Sequence, residues 1–440
     1  MGVFFGTDGI RGVVNEDLNF DIAYRCGHAL ASEGKKVKII IGRDTRVSGT
    51  YLTLAFAVGA MNAGADVVDV GVIPTAGISY LITQEKADYG VIVSASHNPA
   101  EYNGIKIFDK SGYKLGDKRE DLLERKFMKS YVVDAKDIGV YTQDYTMTKK
   151  YEKFLIDSCE GVSLEDLTIV LDGSNGAASR VAPQVFRALG AKVIATNCRE
   201  DGEHINENCG SLYPEGLCKK VLKYKADAGF AFDGDSDRLI AVDEKGCLQD
   251  GDKVIFVLAN DLKEKGLLKG NAVVGTSHTN MGIKDALEKN GIELIRVDIG
   301  DKYVVAKLIE KNLSLGGEQS GHIICKNIEN TGDGILSAIQ VAKILAEKKQ
   351  TFSSLAEVDL YPQCMKNVVV NDTLRIVNNE ELQDEANRQE RLLGEGARII
   401  VRASGTEPKI RIIVESKNAE KGESAANYLV DLVKKIDSEV

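Results

Sequence analysis

No apolar run in the sequence approaches the ~18 to 20 residues that would span a bilayer, which excludes a transmembrane helix and makes a membrane partner unexpected. The eight cysteines (Cys26, Cys159, Cys198, Cys209, Cys218, Cys247, Cys325 and Cys364) form no CxxC pair. Neither a zinc knuckle nor a disulfide framework is therefore implied, and reduced, mostly buried thiols are expected. The first residues, Met1 to Thr7, lack a basic stretch followed by a long apolar one, and they lack the hydroxyl placement of a myristoylation signal. A cytoplasmic protein is the expectation. Positive charge is also in deficit, with a net charge of −10 at pH 7. This argues against nucleic acid as a partner, because neutralising phosphates is what gives such binding its affinity. An anionic ligand would have to be met by local positive charges.

What is present is a chain too long for one hydrophobic core, at 440 residues with 43% apolar and 28% charged side chains. Short apolar strands alternate with amphipathic helices, as in Val37 to Ile41, Thr50 to Gly64 and Ala65 to Val70, which is the pattern of α/β units. The pattern restarts in "LTIVLDGSNGAASRVAPQVFRALGAKVIA" (167–195) and in "NAVVGTSHTNMGIKDALEKNGIELIRV" (271–297). The fold class is accordingly α/β, with three similar domains of mixed sheets flanked by helices around a central cleft. A last segment reads as a smaller α+β domain: a strand at Lys366 to Val370, a helix at Asn379 to Leu393, strands at Ile399 to Arg402 and Ile410 to Glu415, and a closing helix at Ala419 to Ile436. Boundaries are placed near residues 150, 253 and 366.

Four strand-to-turn junctions carry candidate chemistry. In "VIVSASHNPAEYNGIKIF" an apolar strand breaks into a tight turn at Ser96, with Lys106 near the next apolar run. A serine-hydrolase reading fails on sequence grounds, since His97 is the immediate neighbour and points away on extended backbone, and no GxSxG elbow occurs. In "AGFAFDGDSDRLIAVDE", Asp233, Asp235 and Asp237 crowd within five residues. Carboxylates that close repel unless a cation sits between them, and an oxygen-only set favours Mg²⁺ or Ca²⁺. An EF-hand reading, with Glu244 as the last ligand, meets Arg238 where that loop needs glycine. A solvated acidic turn without metal is the plainer alternative. Arg238 beside such a site would clamp a phosphoryl group.

In "LGGEQSGHII", Glu318 and Ser320 stand two apart, which sends both to one side of extended backbone, and His322 continues the row. Carboxylate plus hydroxyl suits sugar hydroxyls or an amine; a turn whose polar groups only satisfy backbone is the alternative. In "IIVRASGTEPKIRIIVE", Ser404, Gly405 and Thr406 form a turn flanked by Arg402 and Arg411, an anion nest suited to a substrate phosphate, with an ordinary hairpin as the alternative. "FFGTDGIRG" places Arg11 among spaced glycines, which alone says little. Arg43 and Arg46 of "IGRDTRVSG" are read as structural salt bridges.

Taken in order, "FGTDGIRG", "SASHNP", "DGDSDR", "GGEQSGH" and "RASGTEP" closely resemble the α-D-phosphohexomutases, and among them the branch acting on glucosamine phosphates, over essentially the whole chain. The resemblance implies an isomerase that interconverts glucosamine 6-phosphate and glucosamine 1-phosphate, feeding amino-sugar nucleotide and cell-wall synthesis. It implies that Ser96 carries a phosphoryl group and, with Asp233, Asp235 and Asp237, holds Mg²⁺. Arg238 and Arg11 would contact the transferring phosphate, Lys106 and His322 would move protons, and Glu318 and Ser320 would hold the sugar. Arg402, Ser404, Gly405 and Thr406 would grip the phosphate that is not reacting. Glucosamine 1,6-bisphosphate is the implied intermediate, and the last domain is expected to close over the cleft. Two positions depart from the family pattern: Ser236 stands where glycine is usual, and Ala403 where the glucosamine branch usually has proline. Mutases of glucose or mannose phosphates, a noncatalytic sugar-phosphate sensor and a metal-dependent phosphatase are the competing readings. A homodimer is expected only from the prevalence of symmetric oligomers.

Overall fold

The computed structural model describes residues 4–6, 9–34, 36–127, 138–404 and 408–438. The chain divides into two compact units, Met1–His278 with Ile292–Glu357, and Thr279–Gly291 with Val358–Val440.

The larger unit contains three mixed sheets built on one four-strand plan. In the first, Lys38–Arg43 lies parallel between Asp66–Val72 and Tyr89–Val93, and Tyr102–Asp109 returns antiparallel along Tyr89–Val93. In the second, Thr168–Asp172 lies parallel between Lys192–Thr196 and Ala228–Phe232, with Leu239–Asp243 antiparallel beyond. In the third, Ala272–Thr276 lies parallel between Glu293–Val297 and Leu315–Gly317, with Ile323–Cys325 antiparallel beyond. Extra strands widen the first sheet to seven and the second to five.

Helices between the strands, such as Gly49–Asn62, Ala178–Ala188 and Gly334–Lys348, bury their apolar faces on the larger unit's sheets. Interior strands covered on both faces must be apolar throughout rather than alternating. Tyr89–Val93, Ala228–Phe232 and Ala272–Thr276 are buried at every position for this reason.

One consequence of the plan was not visible in the sequence. In all three repeats the connection from the third strand to the antiparallel fourth is a loop with candidate chemistry: 94–101, 233–238 and 318–322 respectively. The loops leave the carboxyl ends of parallel strands, where α/β sheets bind their ligands.

The smaller unit has a three-stranded antiparallel sheet with Lys409–Glu415 between Gln363–Val369 and Arg398–Ala403. Helices Glu380–Leu393 and Ala419–Ser438 cover it, with Leu382, Ile412, Val414, Leu429 and Val433 in the core. The first helix starts where Asn379 accepts a hydrogen bond from the Leu382 amide. Helix Met281–Lys289, which links two strands of the third sheet, is counted with this unit. Its cap residue Asn280 accepts from the Tyr361 amide at 3.0 Å, and the Met281 amide donates to Glu415 at 2.9 Å.

No helix among the described residues is long and apolar enough to cross a membrane. All eight cysteines are free; four are buried, three are partly buried and Cys247 is exposed, so burial of the thiols is less complete than expected.

Candidate active site

Ser96 follows the buried strand Tyr89–Val93 and has φ +52°, the left-handed conformation that L-residues with a side chain rarely adopt. Its surroundings impose that conformation. The Ser96 amide donates to Ser94 Oγ at 2.9 Å, and Ser94 Oγ in turn donates to Asp44 at 2.6 Å. Arg46, fully buried and paired with Asp44 at 2.9 Å, donates to the carbonyls of Ser96 (3.0 Å), Asn98 (2.7 Å), Tyr102 (2.9 Å) and Pro99. Arg43 pairs with Asp69 at 3.1 Å. Both arginines are thus engaged in structural ion pairs, and Arg46 also shapes the serine loop.

The left-handed turn overturns one premise of the sequence reading. Residues on extended backbone point to opposite sides, but Ser96 is not extended, and its Oγ lies 3.3 Å from His97 Nδ1. Burial, reinforced by the Arg238 and Arg11 cations, pushes the His97 imidazole down to about 4, so it is neutral at pH 7. No carboxylate is hydrogen-bonded to His97 among the described residues, so the third member of a hydrolase triad is missing.

Ser96 Oγ donates to Asp233 Oδ2 at 2.6 Å. Asp233, Asp235 and Asp237 are buried, and their ligand oxygens lie within 4.8 Å of one another. Lys106, 1% exposed, reaches the cluster from strand Tyr102–Asp109, with Nζ 2.8 Å from Asp235 and 3.3 Å from Asp237. Thr75 Oγ1 donates to the same Asp235 oxygen at 2.7 Å. Burial and its two acidic neighbours hold the Asp233 carboxyl well above the usual carboxylate range. Burial also raises Asp237, but Lys106, His322, Lys114 and Arg238 outweigh it and bring that group to about 2.

The other oxygens, Asp235 Oδ1 and Asp237 Oδ1, are buried with no hydrogen-bond partner among the described residues. An all-oxygen donor set with orphaned lone pairs fits a hard divalent cation. The EF-hand alternative fails, because the flanking elements are strands and Glu244 instead accepts from the Ser353 amide at 3.1 Å.

Of the remaining predicted residues in the larger unit, Arg238 and His322 adjoin this cluster and Arg11 reaches the serine loop. Arg11 donates to Asn98 Oδ1 of the serine loop at 3.2 Å. The Arg238 amide donates to Asp233 at 3.2 Å, and Arg238 forms a backbone bridge with His322, which joins the second and third loops. His322 is 4% exposed, with neither ring nitrogen hydrogen-bonded among the described residues and Nε2 4.0 Å from Asp301. Gly332 makes room for that ring, since a Cβ there would meet Nε2 at 2.3 Å.

Glu318 accepts from the Gly300 amide at 3.0 Å. The backbone here is not extended, contrary to the expectation from the spacing of Glu318 and Ser320. The Gly321 amide donates to the Glu318 carbonyl at 2.9 Å, so 318–321 is a turn rather than extended backbone. Glu318 is partly buried, Ser320 is exposed, and no common side follows from their separation of two.

In the smaller unit, Arg402 and Arg411 are direct cross-strand partners. The Nε atoms of both are buried without a hydrogen-bond partner among the described residues, and burial together with Arg411 lowers the Arg402 pKa. The Ser404 amide donates to the Lys409 carbonyl at 2.8 Å. Gly405 and Thr406 lie outside the described residues.

Sequence reasoning missed Thr75 and the part played by His97. Thr75 sits in an unremarkable "IPTAG", and no local pattern marks its contact 160 residues away.

Comparison with known proteins agrees with this architecture. Residues 2–132, 145–246 and 250–361 match the families described as phosphoglucomutase/phosphomannomutase alpha/beta/alpha domains I, II and III, and residues 365–432 match the C-terminal domain. A phosphoglucosamine mutase of Carboxydothermus hydrogenoformans is 42% identical over 445 residues, covering 99% of this chain and 100% of the relative. That of Pelotomaculum thermopropionicum is 43% identical, with the same coverage. Among solved structures, a phosphoglucomutase/phosphomannomutase family protein of Burkholderia thailandensis superposes with a TM-score of 0.82 at 25% identity, covering 98% of this chain and 97% of that one. An Aspergillus fumigatus N-acetylphosphoglucosamine mutase in complex with GlcNAc-6P and magnesium shares the fold, with a TM-score of 0.70 at 16% identity, covering 99% and 96%. The chain belongs to the phosphoglucomutase/phosphomannomutase family.

Proposed function

We propose that the protein is an isomerase interconverting glucosamine 6-phosphate and glucosamine 1-phosphate, with Ser96 as the phosphoryl carrier. The observation that carries this reading is the 2.6 Å contact of Ser96 Oγ with Asp233 inside a buried three-carboxylate cluster. The amino sugar is favoured because relatives 42–43% identical over their full length are phosphoglucosamine mutases.

In the forward half-reaction the phosphorus–oxygen bond to Ser96 breaks as a bond forms to the free sugar hydroxyl, giving the 1,6-bisphosphate. The hydroxyl proton passes to a side chain near the acceptor, with His322 as the candidate. The departing Ser96 oxygen takes a proton from Lys106, the ammonium paired with Asp235 and Asp237, and returns it on rephosphorylation. In the second half the other phosphate returns to Ser96, and the proton goes back to the sugar oxygen it leaves. Asp233, Asp235 and Asp237, with a phosphoserine oxygen, would hold Mg²⁺, which when bound supplies charge stabilisation at the transferring group.

Phosphoryl transfer depends on positioning and charge more than on covalent assistance. Arg238 and Arg11 steady the equatorial oxygens. Glu318 and Ser320 take sugar hydroxyls or the amine. Arg402, Ser404 and Arg411, with Gly405 and Thr406, receive the distal phosphate. The Nε atoms of Arg402 and Arg411, buried without a hydrogen-bond partner among the described residues, support that role.

The test is kcat/KM measured side by side for glucosamine, glucose and mannose 1-phosphates. A clear preference for glucosamine 1-phosphate is expected. Preference for glucose or mannose would overturn the substrate, and release of free phosphate in place of isomerisation would overturn the mutase reading.

A further inference from the structure

Ser96 is held at both ends by the second repeat. Its hydroxyl donates to Asp233, and its carbonyl accepts a hydrogen bond from Asn206 Nδ2 at 2.9 Å. The same amide donates to the Asn98 carbonyl at 3.0 Å, so both of its hydrogens are spent on the serine loop. Asn206 lies between strand Lys192–Thr196 and helix Glu215–Tyr224, is 6% exposed and has φ +61°, and its backbone amide donates to the Ser174 carbonyl at 2.9 Å. It is therefore anchored to the repeat that carries all three aspartates. Gly234 completes the contact, because a Cβ there would meet the Ser96 carbonyl oxygen at 2.5 Å and Asn206 Nδ2 at 3.1 Å.

Arg46 binds the same two carbonyls, but from the repeat to which the serine loop itself belongs. The two residues therefore do different things. Arg46 keeps the loop in shape, and that shape would survive loss of Asn206. Asn206 ties the loop to the neighbouring repeat and so limits the distance between the Ser96 oxygen and the carboxylate cluster.

We infer that Asn206 is a positioning residue for phosphoryl transfer, holding the phosphate-carrying serine in register with the acidic cluster through the Ser96 and Asn98 carbonyls. The inference rests on the reading of Ser96 as phosphoryl carrier. A misplacement of about 1 Å at a reacting centre costs on the order of 100-fold in rate.

Two variants test it in the full-length chain. Asn206→Asp keeps size and tolerance of positive φ but replaces the two donors by acceptors. Asn206→Gly keeps the backbone conformation and removes the side chain, so it serves if the aspartate variant does not fold. The measurements are kcat, KM for glucosamine 6-phosphate, melting temperature, and inorganic phosphate released per sugar isomerised.

The expected result is kcat lowered about 10- to 100-fold with KM within about 3-fold of the parent, and more phosphate lost to water per turnover. Parental kcat and parental phosphate release in a folded variant, whatever the melting temperature, would overturn the inference by leaving Asn206 a purely structural role. Failure of the underlying reading looks different: Ser96→Ala would then turn over at the parent rate.

Discussion

Lys106 Nζ lies 2.8 Å from Asp235 and 3.3 Å from Asp237, with lysine and carboxylates almost wholly buried. The lysine is the one side-chain cation in direct ion-pair contact with the cluster among the described residues. Removing one partner from a buried ionic group leaves uncompensated charge, at about 3 to 5 kcal/mol. Lys106→Met is expected to lose that much stability in EDTA and to regain part of it when Mg²⁺ is added. Urea melts with and without Mg²⁺ check this, and a variant equally stable in both would contradict it.

Ser236 occupies a left-handed backbone position, φ +64°, that favours glycine, and its Oγ is buried with no hydrogen-bond partner among the described residues. The strain of a side chain there outweighs the extra unfolded-state entropy of glycine. Ser236→Gly is expected to stabilise by about 0.5 to 1 kcal/mol. The urea midpoint should rise with an unchanged slope; a lower midpoint would show that the hydroxyl has a partner worth more than the strain.

Much of this was legible in the sequence, for a physical reason. Ser96, Lys106, Asp233, Asp235, Asp237, Arg238 and His322 lie on or next to apolar strands, whose uniform burial makes them conspicuous, and the structure brings them together. Elements of the smaller unit also fell within a few residues of their expected bounds, because alternating strands and capped helices are local signals. What the sequence hid was contact at long range. Asn206 and Thr75 meet the site only through folding, and a helix such as Met281–Lys289 takes its partners from residues far down the chain. The two errors of direction, at His97 and at Glu318 with Ser320, share a cause. Both applied the two-residue period of a strand to a segment that turns.

Glu329 gives a pH signature. Burial raises its carboxyl from 4.5 to about 7, against the favourable Asn330 amide, and Ser79 Oγ donates to it at 3.0 Å. A raised folded-state value means the native protein holds the proton more tightly than the unfolded chain. The associated stability is complete below pH 4.5 and is lost as pH rises through 7. Glu329→Gln is expected to flatten the fall in melting temperature across that window and to be the more stable protein at pH 8, by up to about 3 kcal/mol. Parallel pH profiles for parent and variant would contradict it.

Arg402 and Arg411 oppose each other across adjacent strands, an arrangement of like charges that is unfavourable until an anion joins them. Arg411→Gln is expected to raise KM for the sugar phosphate about 10-fold or more while lowering kcat less, the pattern for lost uniform binding. A fall in kcat at constant KM would place this arginine at the reacting phosphate instead.

The central claim is that Ser96 carries the phosphoryl group, and the intact mass of the purified protein tests it most directly. After incubation with a hexose 1,6-bisphosphate and Mg²⁺, the parent is expected to be about 80 Da heavier than its sequence, with the increment absent from Ser96→Ala together with turnover. An increment retained in Ser96→Ala, or full turnover by that variant, would contradict the account.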